Sequence, residues 1–262
     1  MKIKFRPMSV LFCLLFFMCT ALSIQAQEAT EGQKFVVHED IVKPNMVPQY
    51  ETASKAFNKV LEDHSTADVQ YLAVSLDDMR YLFVSPIENM AALDNNPLGK
   101  ALNDALGEEG TKALMSGFDG TYDTHRDYVL NLSNDLSYNS GEIVEEGVYF
   151  RHFDYYFPYP GKWDEAKAIT KEWNELYTSK NISQGYRIYT GGLGTEPLIM
   201  VVQWAKSADE FYAQQAETRE LLGDASKELM GRTMAVTRKL ESYDGWIRPD
   251  LSYKPEATVA GN

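Results

Sequence analysis

Two histidine–aspartate pairs are the residues of this sequence best suited to chemistry. His38 and Asp40 lie in FVVHED, and His152 and Asp154 lie in YFRHFD. Residues two apart on a strand face the same side, so each histidine shares a strand face with its aspartate. Imidazole is the commonest general base, and a carboxylate can orient it. The sequence therefore predicts four candidate catalytic residues: His38, Asp40, His152 and Asp154.

Other interpretations of the two pairs remain open. Two histidines and two aspartates that meet near a pseudo-twofold axis could hold a metal through nitrogen and oxygen ligands, and the identity of such a metal is unknown. The same groups could form a proton relay with tyrosine hydroxyls, or a purely structural network. A shared metal requires the His38 and His152 rings to face one interior and approach within about 4 Å. Direct bonding of a histidine to the aspartate on its own strand is not expected.

An aromatic stretch, YFRHFDYYFPYPGKW, surrounds the second pair. Alternation places Phe150, His152, Asp154 and Tyr156 on one strand face, and Arg151, Phe153, Tyr155 and Phe157 on the other. Both faces can be covered, which predicts core positions for Phe150, Phe153, Tyr155 and Phe157. Aromatic side chains with a few polar groups are also typical of small-molecule sites. The candidate ligand-binding residues are Phe150, Tyr156, Arg126 and Arg238, the two arginines being taken as counterparts near the starts of two later strands.

The chain repeats itself. NDLSY ends at Tyr138, and PDLSY ends at Tyr253, 115 residues later. KAFNKVL matches KEWNELY, FVVHED matches YFRHFD, and TYDTHR resembles TMAVTR, in the same order and at nearly the same offset. A duplicated unit explains this better than chance does. The predicted organisation is a signal peptide at 1–26, one repeat at 27–141, a second at 142–253, and a flexible tail at 254–262.

Each repeat shows the same order of elements. A β-rich stretch opens it, followed by an amphipathic helix, two short strands, a second helix and a last strand. The second helices are predicted at about 90–116 and 207–231, and Ser207 with Glu210 forms a capping box for the later one. The order βαββαβ is the ferredoxin-like pattern. GGLG, at Gly191–Gly194, joins two predicted strands with no helix after it, which indicates a hairpin rather than a phosphate loop.

A tandem pair of such units resembles the dimeric α/β-barrel superfamily. The resemblance implies an α+β protein in which two four-stranded antiparallel sheets pack face to face. Because one chain supplies both sheets, it also implies a monomer or weak dimer. The superfamily includes cofactor-free monooxygenases, haem-degrading enzymes and haem-dependent chlorite dismutase relatives, but a shared fold does not transfer an activity. A cofactor-free or haem-linked oxygenase-type enzyme, with His38 or His152 as base or one histidine as axial haem ligand, is therefore an alternative.

The first residues have the pattern of a secretory signal peptide. Lys2, Lys4 and Arg6 precede the apolar run SVLFCLLFFMCTAL, and small residues follow it. We expect cleavage after Ala26, or alternatively after Ser23, and an exported protein that is periplasmic or extracellular. An uncleaved anchor is the other interpretation.

Cysteine usage and charge narrow the function classes. Both cysteines, Cys13 and Cys19, lie in the predicted signal peptide, so the mature chain would have no thiol nucleophile or disulfide, although Cys19 could carry a lipid. Removal of three positive charges would take the net charge from −13 to −16, which disfavours nucleic-acid binding and anionic lipid surfaces. No metalloprotease, Walker or dinucleotide motif is present, so the sequence requires no cofactor.

Three function classes follow from these observations. The leading hypothesis is binding of a small, partly apolar molecule in a cavity between or beside the sheets, lined by His152, Tyr156 or their neighbours. The second is the oxygenase-type enzyme, and the third is a non-catalytic module that presents its surface to a protein partner. The sequence leaves open whether the protein is an enzyme.

Overall fold

The computed structural model describes residues 32–64, 66–141 and 145–255. The predicted signal peptide and the last seven residues of the predicted tail lie outside the described residues. None of the helices in the described ranges is long and apolar enough to cross a membrane.

The described chain contains eight strands and four α-helices, with short 3₁₀ turns between some of them. The first half comprises β1 (Lys34–Val42), α1 (Val47–Asp63), β2 (Leu72–Leu76), β3 (Arg80–Ile87), α2 (Pro97–Met115) and β4 (Tyr122–Leu132). The second comprises β5 (Phe150–Pro158), α3 (Trp163–Ser179), β6 (Arg187–Leu193), β7 (Leu198–Ala205), α4 (Ala208–Val236) and β8 (Thr237–Ile247). The predicted α+β class is confirmed.

The eight strands form one closed antiparallel barrel. Their order around it is β1-β3-β2-β8-β5-β7-β6-β4, with β4 returning to β1. The two halves are joined where β2 pairs with β8 and where β4 pairs with β6. The pairings β1–β4 and β5–β8 place His38 opposite Asp127 and His152 opposite Asp244. Closure removes every exposed sheet edge, which disfavours aggregation through unpaired strands.

The alternation of side chains creates two kinds of core. Phe153, Tyr155 and Phe157 point into the barrel, where they pack in one cluster with Val37 and Met200. The outer face of the second half packs against α3 and α4, and the outer face of the first half packs against α1 and α2. The core positions predicted at Phe150, Phe153, Tyr155 and Phe157 are confirmed, since all four are 5% exposed or less.

Helix α4 is longer than the sequence predicted and carries a bend. It begins after Ser207, whose Oγ accepts a hydrogen bond from the Glu210 N–H at 3.2 Å, the expected N-cap. The predicted helix stopped near residue 231, whereas α4 ends at Val236. Gly223 has a φ of 60°, in the left-handed region that favours glycine, so α4 bends there.

The predicted hairpin at GGLG joins β6 to β7. Gly194 has a φ of +78°, and a Cβ at this position would lie 2.3 Å from the Asp127 carbonyl oxygen. The hairpin therefore passes so close to β4 that only glycine fits without movement of the backbone.

Candidate functional site

His38 lies between two carboxylates on the outer face of the first half. Its Nδ1 is 2.8 Å from Asp127 Oδ1, and its Nε2 is 3.3 Å from Asp40 Oδ1. Asp40 is buried, and its Oδ2 accepts a hydrogen bond from the Tyr50 hydroxyl at 2.5 Å. The His38 side chain is 41% exposed, so water reaches this pair.

His152 has the matching arrangement in the second half, but it is more deeply buried. Its Nδ1 is 2.7 Å from Asp244 Oδ1, and its Nε2 is 3.5 Å from Asp154 Oδ1. The ring stacks on Phe211 of α4 at 4.7 Å between centroids. Asp244 also accepts a hydrogen bond from the Tyr212 hydroxyl at 2.8 Å. The pattern is therefore duplicated: in each half a cross-strand aspartate holds Nδ1, and the aspartate two residues on holds Nε2.

The two histidines do not converge, so the condition for a shared metal, that both rings face one interior, is not met. Their strands, β1 and β5, are four positions apart around the barrel in either direction, and both rings point outward. The neighbouring apolar residues Val37 and Phe153 point into the barrel. His38 and His152 therefore lie on the outer face of the barrel, which the helices cover. Each histidine also makes an ion-pair contact with the aspartate on its own strand, at 3.3 Å for Asp40 and 3.5 Å for Asp154. Within the described ranges, no group of three or more suitable side chains could hold a metal.

The carboxylates favour the charged form of both rings. Hydrogen bonding to Asp40, together with the charges of Asp40 and Asp127, outweighs partial burial and raises the pKa of His38 to about 9. Burial lowers the pKa of His152, but hydrogen bonds to Asp154 and Asp244 outweigh it, and the net effect is a raised pKa. His38, whose pKa is raised to about 9, is protonated at neutral pH and is therefore a poor general base.

A cavity of about 520 Å³ lies between α3, α4 and the outer face of the second half. We call it the helix–sheet cavity. Its wall is mostly apolar and aromatic, and includes Ile169, Trp173, Tyr177, Ile199, Val201 and Leu222. Asp154 and Tyr156 line this cavity. His152 does not line it, but its Nε2 contacts the Asp154 carboxylate. The cavity therefore presents one carboxylate to a mostly apolar space.

Further polar groups in the helix–sheet cavity were not identified from the sequence. The Tyr186 hydroxyl is buried and has no hydrogen-bond partner among the described residues. Gln215 Nε2 donates to the side-chain Oε1 of Gln203 at 2.7 Å, and both side chains line the wall. Tyr186 immediately precedes β6. The sequence alone does not show that its hydroxyl group lacks a hydrogen-bond partner.

Three predicted ligand-binding residues lie away from the helix–sheet cavity. Phe150 packs against Phe211 in a separate small cluster. Arg126 donates to the buried Glu39 through Nε at 2.9 Å and Nη2 at 2.6 Å, and Arg238 pairs with Glu196. The equivalence of Asp127 and Asp244 places Tyr243, not Arg238, at the position that corresponds to Arg126. Of the four predicted ligand contacts, Tyr156 is the one that lines this cavity.

The candidate axial ligands do not fit a haem. His38 and His152 line neither the helix–sheet cavity nor the second cavity, of about 610 Å³, which lies inside the barrel. Both nitrogens of each ring already face carboxylates, which leaves no nitrogen for iron. We therefore derive no step through haem.

Comparison with known proteins identifies the fold. No family model matches the sequence, and no curated protein matches it. An anthrone oxidase-like protein of known structure is similar, with a TM-score of 0.57 and 14% identity over 83% of this chain and 92% of that chain. A proposed monooxygenase from Fusobacterium nucleatum subsp. nucleatum has a TM-score of 0.52 and 11% identity over 86% of this chain and 98% of that chain.

A third structure is a mutant chlorite dismutase from Candidatus Nitrospira defluvii, with a TM-score of 0.49 and 9% identity over 84% of this chain and 94% of that chain. At the identities of the first two, the likeness concerns the fold alone. The closed antiparallel barrel with outer helices, together with these two similarities, shows that the chain has the fold of the dimeric α/β-barrel superfamily.

Proposed function

We propose that the protein binds a small, mainly apolar aromatic molecule in the helix–sheet cavity. The observation that supports this most directly is the cavity itself, about 520 Å³ in volume, with a mostly apolar wall and polar groups that include Asp154 and Tyr186. Small-molecule sites are typically of this size and have few, well-placed polar groups. The unpaired Tyr186 hydroxyl would gain a hydrogen bond from a ligand, which offsets the cost of its burial.

The polar groups also indicate the chemistry of the ligand. Asp154 accepts a hydrogen bond from Ser242 and faces His152, so its carboxylate is held in place at the cavity wall. An ionised carboxylate accepts hydrogen bonds, which favours a ligand with a hydroxyl or N–H donor. Trp173 and Tyr177 supply aromatic faces for a planar ring. A neutral phenol-like molecule meets all of these requirements.

Calorimetric titration with 1-naphthol tests the proposal. Val201→Trp fills the helix–sheet cavity from a partly buried strand position, and Val84→Trp is the matched control, because Val84 is a partly buried strand valine that lines the cavity inside the barrel. We expect Val201→Trp to weaken binding at least about tenfold, which corresponds to ~1.4 kcal/mol. Val84→Trp should leave the affinity unchanged.

Two results would overturn the proposal. One is equal affinity in the wild type and Val201→Trp while both remain folded. The other is the loss of 1-naphthol binding in Val84→Trp alone, which would assign the ligand to the barrel interior.

An oxygenase-type enzyme is the second candidate. The observation that favours it is the Asp154 carboxylate at the cavity wall, backed by His152 and Asp244, an arrangement that can accept a proton from a bound substrate and share the charge. One similar structure is anthrone oxidase-like, and another is a proposed monooxygenase. Anthrone is therefore a reasonable first substrate.

Oxygen consumption with anthrone tests this candidate. The balanced reaction converts anthrone and O₂ to anthraquinone and water: the methylene group loses two hydrogens and gains one oxygen atom, and the other oxygen atom leaves in water. We expect Asp154→Asn to abolish turnover and the matched Asp40→Asn, in the other half, to retain it. Binding without oxygen uptake would leave the protein a binding module rather than an enzyme.

We also propose that the two halves are fused ferredoxin-like repeats. The strand orders β4-β1-β3-β2 and β8-β5-β7-β6 are the same order when each half is numbered from its own first strand. The duplicated histidine–aspartate geometry adds support. An experimental structure in which 32–141 and 145–253 do not superpose would contradict this.

We also propose that the mature protein is exported and is a monomer or a weak dimer, which the N-terminal pattern and the completion of the barrel within one chain support. Cell fractionation and light scattering of the purified protein test its two parts. The third class, a surface that binds a protein partner, becomes the better explanation if neither aromatic nor anionic small molecules bind.

A further inference from the structure

The interior of the barrel contains a second cavity that the proposed function does not use. It has a volume of about 610 Å³ and is bordered by inward-facing residues from all eight strands. Val37, Leu82, Phe153, Met200, Val202 and Ile247 are among its apolar wall residues. This size and composition match those of small-molecule sites.

The charges in this cavity are opposite to those of the whole chain. Three basic side chains, Arg151, Arg187 and Lys254, line it, and none of its described lining residues is acidic. The chain as a whole has a net charge of −13. A cavity wall with several positively charged side chains, in a protein that is acidic as a whole, favours an anionic ligand.

The basic residues lie at one end of the barrel. Strands β5 and β6 are both antiparallel to β7, so they begin at the same end, where Arg151 and Arg187 are placed. Arg151 is 2% exposed and donates to the carbonyl oxygens of Val148 and Phe150 at 2.8 and 2.7 Å. Burial lowers the pKa of Arg151 to about 10, so the guanidinium remains charged at neutral pH. In the described part of the chain, Arg187 donates hydrogen bonds to the carbonyl oxygens of Ser140 and Gly141.

The opposite end of the cavity offers a hydroxyl group. Tyr155 is 4% exposed, lines the cavity, and has a hydroxyl with no hydrogen-bond partner among the described residues. It lies four residues beyond Arg151 on β5, about 13 Å away at ~3.3 Å per residue. The space between them is apolar. A ligand that satisfies both ends is therefore elongated, with an anionic head and an apolar body.

We propose that the barrel interior binds an anionic amphiphile, with its carboxylate at Arg151 and Arg187 and its apolar chain extending toward Tyr155. Arginine suits this role because its planar N–H groups match the geometry of a carboxylate. The site is separate from the helix–sheet cavity, since the barrel wall lies between them and the residues that line one cavity do not line the other.

Calorimetric titration of the purified protein with decanoate and with 1-decanol tests the charge requirement. Arg187→Gln should weaken decanoate binding at least about tenfold, as expected for the loss of a hydrogen bond between charged groups, and leave 1-decanol unchanged. Arg151→Gln should also weaken decanoate binding. Because Arg151 is buried, this variant can fail to fold, and the test then relies on Arg187→Gln. Equal binding of decanoate and 1-decanol by the wild type would overturn the proposal.

Three variants test the location and the far end of the site. Val84→Trp should block decanoate, whereas Val201→Trp should not; the reverse result assigns decanoate to the helix–sheet cavity and overturns the proposal. 10-Hydroxydecanoate should bind more tightly than decanoate, and Tyr155→Phe should remove that advantage. 1-Naphthol reports on the helix–sheet cavity and decanoate on the barrel interior. If decanoate does not bind in the barrel, the proposed function still stands, and if 1-naphthol does not bind, the proposal for the barrel interior still stands.

Discussion

Replacement of Asp244 by asparagine tests the buried histidine network directly. Asp244 Oδ1 lies 2.7 Å from His152 Nδ1, and the two side chains are 19% and 16% exposed. A hydrogen bond between charged groups contributes about 1.5–3 kcal/mol, and burial limits the screening of this one by water. Loss of this hydrogen bond to the charged ring should lower the pKa of His152 in Asp244→Asn.

The sign of the pH dependence follows from the raised pKa of His152. A group whose pKa is higher in the folded state contributes its full stabilisation below its unfolded value, about 6.5, and loses it as the pH rises through the folded value. Asp244→Asn should therefore lower the free energy of unfolding by about 1.5–3 kcal/mol at pH 6. The difference from the wild type should shrink as the pH rises.

The matched control is Asp127→Asn in the first half. Asp127 holds His38 Nδ1 at 2.8 Å, but the side chains are 65% and 41% exposed. Although the pKa of His38 is raised to about 9, solvent screening should limit the loss to about 1 kcal/mol or less. NMR titration of the histidine rings and urea unfolding at pH 6 and pH 9 measure both quantities. An unchanged pKa of His152 in Asp244→Asn, or an equal loss of stability in the two variants, would refute the reasoning.

Three other predictions have defined expected outcomes. Phe153→Ala, in the barrel core, should cost about 3–5 kcal/mol in urea unfolding, and a loss below ~1 kcal/mol would contradict the packing described. Gly194→Ala should lower the free energy of unfolding by at least about 1–3 kcal/mol, because Gly194 has a positive φ and lies close to β4. Gly192→Ala is the control: Gly192 has open space around it, so the free energy of unfolding should change by no more than ~0.5 kcal/mol in the same assay. Mass spectrometry of the exported protein should show cleavage after Ala26 or Ser23, and an intact N-terminus would contradict the predicted signal peptide.

The sequence allowed the faces of the strands to be predicted, but not which face points inward. Alternation correctly grouped His152 with Asp154 and Arg151 with Phe153. In the aromatic stretch, however, both faces carry large apolar groups, so hydrophobicity alone cannot assign the barrel interior. The barrel closes with Arg151 inside and His152 outside, which separates the two histidine pairs instead of joining them.

The partners of the histidines could not be predicted for a different reason. Asp127 is 89 residues from His38, and Asp244 is 92 residues from His152. The pairing depends on the register between the first and last strands of each half, and one sequence does not define that register. The internal repeat predicted the order of the elements, but it matched Arg126 to Arg238, whereas the strand pairing matches it to Tyr243.

The cavities depend on side-chain volumes that strand and helix patterns do not contain. Tyr156 was predicted to contact a ligand and does line the helix–sheet cavity. The unpaired hydroxyl groups of Tyr186 and Tyr155 emerge only when the surrounding side chains are in place. Arg151 was assigned to the correct strand face, but its place in the wall of a basic cavity depends on barrel closure.

A crystal structure of the protein soaked with 6-bromo-2-naphthol tests the central claim most directly, because anomalous scattering locates the bromine without ambiguity. The proposed function predicts a bromine peak between α3, α4 and the second half of the barrel, with the ligand hydroxyl within hydrogen-bond distance of Asp154 or Tyr186. A bromine peak inside the barrel, or on the surface with the helix–sheet cavity empty, would contradict it.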